Sequence, residues 1–173
     1  MESIFMIGYM CSGKTTLGRL LARGVGAKFI DLDEYIEKKA GCKVNEIFRD
    51  KGEVVFRNLE REALHEVAAV DNCIIATGGG APCFFDNMDF MNSHGRSVYL
   101  KSSPDALFVR LKRYKATRPL LRGKDDVGLW EFICDTLPKR EIYYSRASVI
   151  FNVDPLENKE DVILAVNRLR KLL

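Results

Sequence analysis

The segment GYMCSGKT, Gly8 to Thr15, places two glycines, a lysine and a hydroxyl at the spacing of a phosphate-binding loop. Gly8 and Gly13 allow backbone conformations and close approaches that a Cβ would block, so successive amides can surround a β-phosphate at a helix N-terminus. Lys14 supplies a charge to β- and γ-phosphates, and the Thr15 hydroxyl can ligate Mg²⁺. Gly8, Cys11, Ser12, Gly13, Lys14, Thr15 and Thr16 are therefore the expected nucleotide contacts. An ordinary glycine turn before a helix would look similar, but the apolar run before this segment and the helical pattern after it supply the context the loop needs.

Asp31 and Asp33 stand two residues apart, so in an extended segment both point the same way. One suits the water shell of a metal. The other suits a substrate's hydroxyls, because a carboxylate accepts bonds from adjacent hydroxyls and can take the proton of the attacking one. For Asp33 the competing role is a helix cap. TGGGAP, Thr77 to Pro82, offers a backbone that a ligand can approach closely, Gly79 and Gly80 included. Arg57 and Arg140 are isolated basic residues beside apolar neighbours; two guanidinium groups converging on one spot would select a carboxylate. Arg118, in TRPLL, lies in a stretch read as a lid from Arg110 to about Asp126, which on closing would bring Arg118 onto the transferring phosphate and exclude water.

Alternating elements must position these groups. Ser3 to Ile7 reads as a strand, Lys14 to about Arg23 as a helix with Leu17, Leu20 and Leu21 on one side, and Phe29 to Asp31 as a second strand. Asp33 then sits at an N-cap position ahead of a helix carrying Tyr35 and Ile36. Phe56, Leu59, Ala63 and Val67 form the apolar stripe of a helix over Glu53 to Ala69. Cys73 to Ala76, Val98 to Leu100 and Val149 to Phe151 complete five strands, and a last helix buries Val162, Val166, Leu169 and Leu173. This alternation predicts a parallel α/β sheet covered on both faces, with ligands at the carboxyl ends of its strands.

A length of 173 residues without a linker or internal repeat suits one domain. The formal charge of +3 is local: Arg110 to Lys124 holds seven basic residues and no acid, and taking seven from three leaves the remainder at minus four. That pattern fits a phosphate-rich ligand better than a nucleic-acid surface. The short apolar runs predict neither a signal peptide nor a spanning helix, hence a cytoplasmic protein without a membrane partner. Five widely spaced cysteines without a CxxC pair indicate neither disulfides nor zinc. His65 and His94 have no partner pattern and read as solvated or capping residues. No apolar stripe argues for an oligomer, so a monomer is expected.

GYMCSGKT, DLD at Asp31 to Asp33, FR ending at Arg57, TGGG, and RPLL from Arg118 together resemble shikimate kinase, in order and over essentially the whole chain. The resemblance implies transfer of the ATP γ-phosphoryl group to the 3-hydroxyl of shikimate, with Mg²⁺, in the aromatic amino-acid pathway. It implies a three-layer P-loop kinase fold of the nucleoside monophosphate kinase type, a single domain over 1–173 with a five-stranded parallel sheet in the order 2-3-1-4-5. The mobile lid would cover about 110–126 and a substrate-binding helical region about 33–62. Lys14, Asp33 and Arg118 take catalytic roles, Thr15 and Asp31 the metal, and Asp33, Arg57, Gly79, Gly80 and Arg140 the substrate. The adenine contacts fall to Arg110 or Arg113 and to Asp154 or Pro155. Three positions depart from the family pattern: Cys11 where glycine or another small residue is common, Thr15 where serine is usual, and KREIYYSRAS, which is one residue short after Arg140. Another small-molecule kinase on the same fold, such as a gluconate kinase, is the nearest alternative.

Overall fold

The computed structural model describes residues 2–114, 121, 123–156 and 158–173. Five strands, β1 (Ser3–Ile7), β2 (Lys28–Asp31), β3 (Cys73–Ala76), β4 (Gly95–Lys101) and β5 (Val149–Asn152), form one parallel sheet in the order β2-β3-β1-β4-β5. Strand direction and order are those expected. Alternation along β1 explains the layering, since Ile4 and Met6 face one apolar cluster with Leu17, Leu21 and Leu169, while Phe5 and Ile7 face another with Leu32, Phe56 and Leu64. A sheet buried on both faces carries near-continuous apolar strands, and all five residues of β1 are buried.

Seven helices cover those faces among the described residues: α1 (Lys14–Val25), α2 (Leu32–Ala40), α3 (Val44–Ala68), α4 (Asn87–His94), α5 (Pro104–Tyr114), α6 (Asp126–Tyr144) and α7 (Lys159–Leu172). The first begins at Gly13 and ends against Gly26, both in the left-handed conformation. Its Gly18 gives clearance, because a Cβ there would stand 2.8 Å from the Phe29 ring.

The sequence pattern marked only the second half of α3. Gly52, at φ 82° and ψ 170°, breaks it, and the preceding turns from Val44 bury Ile47 and lay Phe48 against Phe56 with ring centroids 4.4 Å apart. A left-handed angle at this position is natural to glycine. The bend turns one long helix into the two walls of a cavity.

Candidate active site

The loop between β1 and α1 carries the phosphate motif at the carboxyl edge of the sheet. A Cβ on Gly8, whose φ is 142°, would stand 2.9 Å from the Leu100 carbonyl oxygen, so the tight approach of the loop to β4 requires glycine. Lys14 Nζ donates to the carbonyls of Gly8 at 2.8 Å and Tyr9 at 2.7 Å, which holds its charge inside the loop. Cys11 takes a left-handed φ of 60°, and Ser12 is fully buried with its Oγ unbonded among the described residues.

Thr15 Oγ1 donates to Asp31 Oδ2 at 2.8 Å, while Asp31 Oδ1 accepts from the amides of Asp33 at 3.1 Å and Glu34 at 3.4 Å. The N-cap of α2 is thus Asp31 rather than Asp33. Asp33 lies in the first helical turn instead of an extended segment, and it lines two adjoining cavities rather than capping the helix. Thr15, Asp31 and Asp33, with the loop from Met10 to Lys14 and with Thr16, Thr77, Gly78, Gly79, Arg110 and Arg113, line a cavity of about 550 Å³. Arg110 closes its far side by donating to Ser102 Oγ at 3.1 Å and to the carbonyls of Val153 at 2.5 Å and Asp154 at 3.3 Å. Pro155 is exposed and off the wall; the adjoining Leu156 lines it instead.

A second cavity of about 270 Å³ adjoins the first and shares Met10, Asp33, Gly78 and Gly79 with it. Arg57 and Arg140, far apart in the chain, both line it. Arg57 is not isolated as its sequence context suggested. Its side chain is 11% exposed, its Nη1 donates to Glu60 Oε2 at 2.7 Å, its Nη2 meets Glu53 Oε1 at 3.1 Å, and its guanidinium lies 4.0 Å over the Phe84 ring. A guanidinium fixed by carboxylates and stacked on an aromatic face presents its remaining donors in one geometry.

Glu60 is the main residue that sequence reasoning missed. It is fully buried; burial pushes its carboxyl up to about 7, against the opposing pull of the Arg57 charge. Its Oε1 has no hydrogen-bond partner among the described residues. A signal was present, since Glu60 falls on the same helical face as Phe56, Ala63 and Val67, where an acid is out of place unless it is paired. Phe48, Phe84 and Tyr144, whose hydroxyl donates to the Gly79 carbonyl, were likewise unmarked.

The glycine triplet follows from these charges. None of the three glycines has a positive φ. A Cβ would stand 2.7 Å from Glu60 Oε1 at Gly78, 3.3 Å from Arg140 Nη1 at Gly79 and 2.6 Å from Arg57 Nη2 at Gly80. The segment does turn, with the Ala81 amide donating to the Gly78 carbonyl at 3.2 Å, but no positive φ demands glycine there; clearance for side chains is what favours TGGG.

Several residues lie elsewhere. His65 and His94 are exposed, and each stacks on the Phe90 ring, with centroid distances of 3.8 and 4.0 Å. All five cysteines are free thiols, and burial pushes Cys83 up to about 11. Residues 115–120 and 122 of the expected lid, Arg118 among them, lie outside the described residues.

A phosphate loop at the carboxyl edge of a 2-3-1-4-5 parallel sheet, opening through a shared aspartate onto an arginine-lined cavity, defines a P-loop kinase of small molecules. The family model described as shikimate kinase matches residues 10–170. A shikimate kinase of Bacteroides thetaiotaomicron is 51% identical over all of this chain and 99% of its own. The crystal structure of shikimate kinase from that organism superposes with a TM-score of 0.95 at 50% identity, covering 99% of this chain and 97% of the other. Shikimate kinase from Acinetobacter baumannii, solved in complex with shikimate, gives 0.81 at 31% identity, covering 99% and 93%. The chain belongs to the shikimate kinase family. A Sinorhizobium meliloti gluconokinase, at 16% identity and a TM-score of 0.55, shares the fold alone.

Proposed function

We propose that the chain transfers the γ-phosphoryl group of ATP to the 3-hydroxyl of shikimate, giving shikimate 3-phosphate and ADP. The observation that carries this reading is the pair of cavities meeting at Asp33, one walled by the phosphate loop and one by two arginines. Shikimate presents a carboxylate at one end and hydroxyls at the other. In the smaller cavity Arg57 and Arg140 suit the carboxylate, the Gly79 and Gly80 backbone lines the passage, and Asp33 meets the hydroxyls.

Phosphoryl transfer asks mainly for alignment and charge neutralisation. Lys14 supplies the charge, exchanging its bonds to the Gly8 and Tyr9 carbonyls for phosphate oxygens. Asp33 orients the attacking hydroxyl and accepts its proton, a task for which a strong base is not needed. Arg118 is assigned to the γ-phosphate from a lid over about 110–126, and the helical region over about 33–62 to substrate binding.

The donor set at the loop fits magnesium, since the Thr15 hydroxyl and Asp31 carboxylate are hard oxygens already within 2.8 Å of each other. These two residues would hold the ion, Asp31 through its water shell; when bound, Mg²⁺ neutralises phosphate charge. Arg110 and Leu156 flank the end of the cavity suited to the adenine. A monomer in the cytoplasm, engaging neither nucleic acid nor membrane, accords with this reading; no helix among the described residues is long and apolar enough to cross a membrane.

The test is ADP release with Mg²⁺ and ATP against shikimate, gluconate, a nucleoside monophosphate and no acceptor. Turnover with shikimate alone supports the assignment. Turnover with gluconate or a nucleotide would overturn the acceptor site while keeping the phosphate loop.

A further inference from the structure

Arg57 has Glu53 and Glu60 to fix it. Among the described residues no carboxylate forms an ion pair with Arg140, although it lines the same cavity and its Nη1 lies 3.3 Å from where a Gly79 Cβ would stand. Its guanidinium lies over the ring of Tyr9, 5.1 Å from the ring centroid, with the Tyr144 hydroxyl as its other neighbour. A cation over an aromatic face is held electrostatically, and the hold strengthens as water is excluded. Tyr9 is 1% exposed.

Tyr9 is itself pinned in three directions. Its hydroxyl lies 2.5 Å from Thr136 Oγ1, and the Thr136 hydroxyl in turn donates to the Phe132 carbonyl at 2.6 Å, which leaves the phenol as donor to the threonine. Thr136 and Arg140 are four apart on α6, so Tyr9 touches neighbouring turns of one helical face. Its backbone carbonyl accepts from Lys14 Nζ at 2.7 Å. One residue of the phosphate loop therefore contacts both the lysine that meets the nucleotide and the arginine that meets the acceptor.

We infer that Tyr9 is a positioning residue for the acceptor: its ring fixes Arg140 for the substrate carboxylate, and its carbonyl links that clamp to Lys14. This rests on the reading of Arg140 as a carboxylate ligand. Nucleotide phosphates compete with the Tyr9 carbonyl for Lys14, so nucleotide binding adjusts the peptide that carries the ring, and the acceptor's affinity responds to nucleotide.

The experiment compares Tyr9→Leu, Tyr9→Phe, Thr136→Val, Arg140→Ala and Tyr9→Leu/Arg140→Ala in steady-state kinetics, with shikimate dissociation constants measured with and without ADP and Mg²⁺. Tyr9→Leu is expected to raise the shikimate KM about tenfold, with the ATP KM and kcat at saturating shikimate changed less than about threefold. Tyr9→Phe, which keeps the ring, should restore most of that loss. The double variant should bind shikimate no worse than Arg140→Ala alone, because both remove one clamp. Shikimate affinity in Tyr9→Leu should also lose its dependence on ADP.

Equal losses in ATP KM and kcat for Tyr9→Leu would overturn the inference and make Tyr9 a prop of the phosphate loop. An unchanged shikimate KM in Tyr9→Leu while Arg140→Ala raises it would sink the inference and spare the carboxylate clamp. No effect of Arg140→Ala would remove both. Should Tyr9→Leu fail to fold, Thr136→Val, which leaves the loop and Arg140 intact, must still raise the shikimate KM two- to threefold for the positioning role to stand.

Discussion

Replacing Glu60 by glutamine tests the electrostatics of the acceptor cavity most directly, because it keeps the shape and an acceptor for Arg57 while deleting the charge. Burial raises the Glu60 carboxyl from its ordinary 4.5 to about 7, with Arg57 first and Arg140 further off opposing the rise and Asp33 adding to it. Between these values the unfolded chain has lost the proton that the folded chain retains. The folded state then binds more protons, so stability falls as pH rises. At about 1.4 kcal/mol per pH unit the loss comes to roughly 3 kcal/mol, complete once pH passes the folded value. Urea unfolding, followed by Trp130 fluorescence and far-UV circular dichroism at pH 5, 6, 7 and 8, should show the native protein losing about 2.5 kcal/mol relative to Glu60→Gln across that range, the rest of the loss falling below pH 5. A second readout concerns substrate. Below pH 7 a neutral Glu60 leaves the Arg57 charge available to the shikimate carboxylate, and above it the anion competes, so the shikimate KM should rise through pH 7 in the native enzyme and stay flat in the variant. A stability difference constant from pH 5 to 8 would refute the reasoning, for it would mean that Arg57, 2.7 Å away, overcomes burial and keeps Glu60 ionised throughout.

Lys14→Ala should cut kcat by at least about 100-fold, the cost of losing one preorganised charge at the transferring phosphate, with the fold retained by circular dichroism. Gly80→Ala places a Cβ 2.6 Å from Arg57 Nη2; the guanidinium is pushed out of the geometry that its carboxylates fix, and the shikimate KM should rise roughly 10- to 100-fold as a charged hydrogen bond is lost, while ATP binding by calorimetry is unchanged. Gly95→Ala instead meets backbone, at 2.2 Å from the Ser3 carbonyl oxygen, and should cost about 3 kcal/mol or more in urea unfolding by prising β1 from β4.

Legibility in the sequence followed how local each signal is. The phosphate loop and the five strands announce themselves within a few residues, because glycine spacing, a lysine and short apolar runs are local patterns, and the structure repeats them with boundaries shifted by a residue or two, except β4, which begins three residues earlier, at Gly95. Asp31 and Asp33 were legible as a pair, but their division of labour was not: which carboxylate caps α2 depends on where the strand ends, and that is decided by pairing of Asp31 with Ala76 in the sheet. Arg57 and Arg140 were visible as residues and invisible as neighbours, since their approach depends on α3 and α6 packing over the same edge of the sheet. Glu60, Phe84 and Tyr9 escaped for a related reason. Each acts through a residue distant in the chain or through the stacking of a charge on a ring, and neither leaves a spacing to read. TGGG sits between these cases, for the motif was plain while its cause was not. Glycines suit that stretch because Glu60 and Arg57 cross it closer than a Cβ allows, and Arg140 nearly so, unless those side chains shift. The proposed acceptor site is therefore written twice in this sequence, once as charges far apart in the chain and once as the gap in the side chains that lets those charges meet.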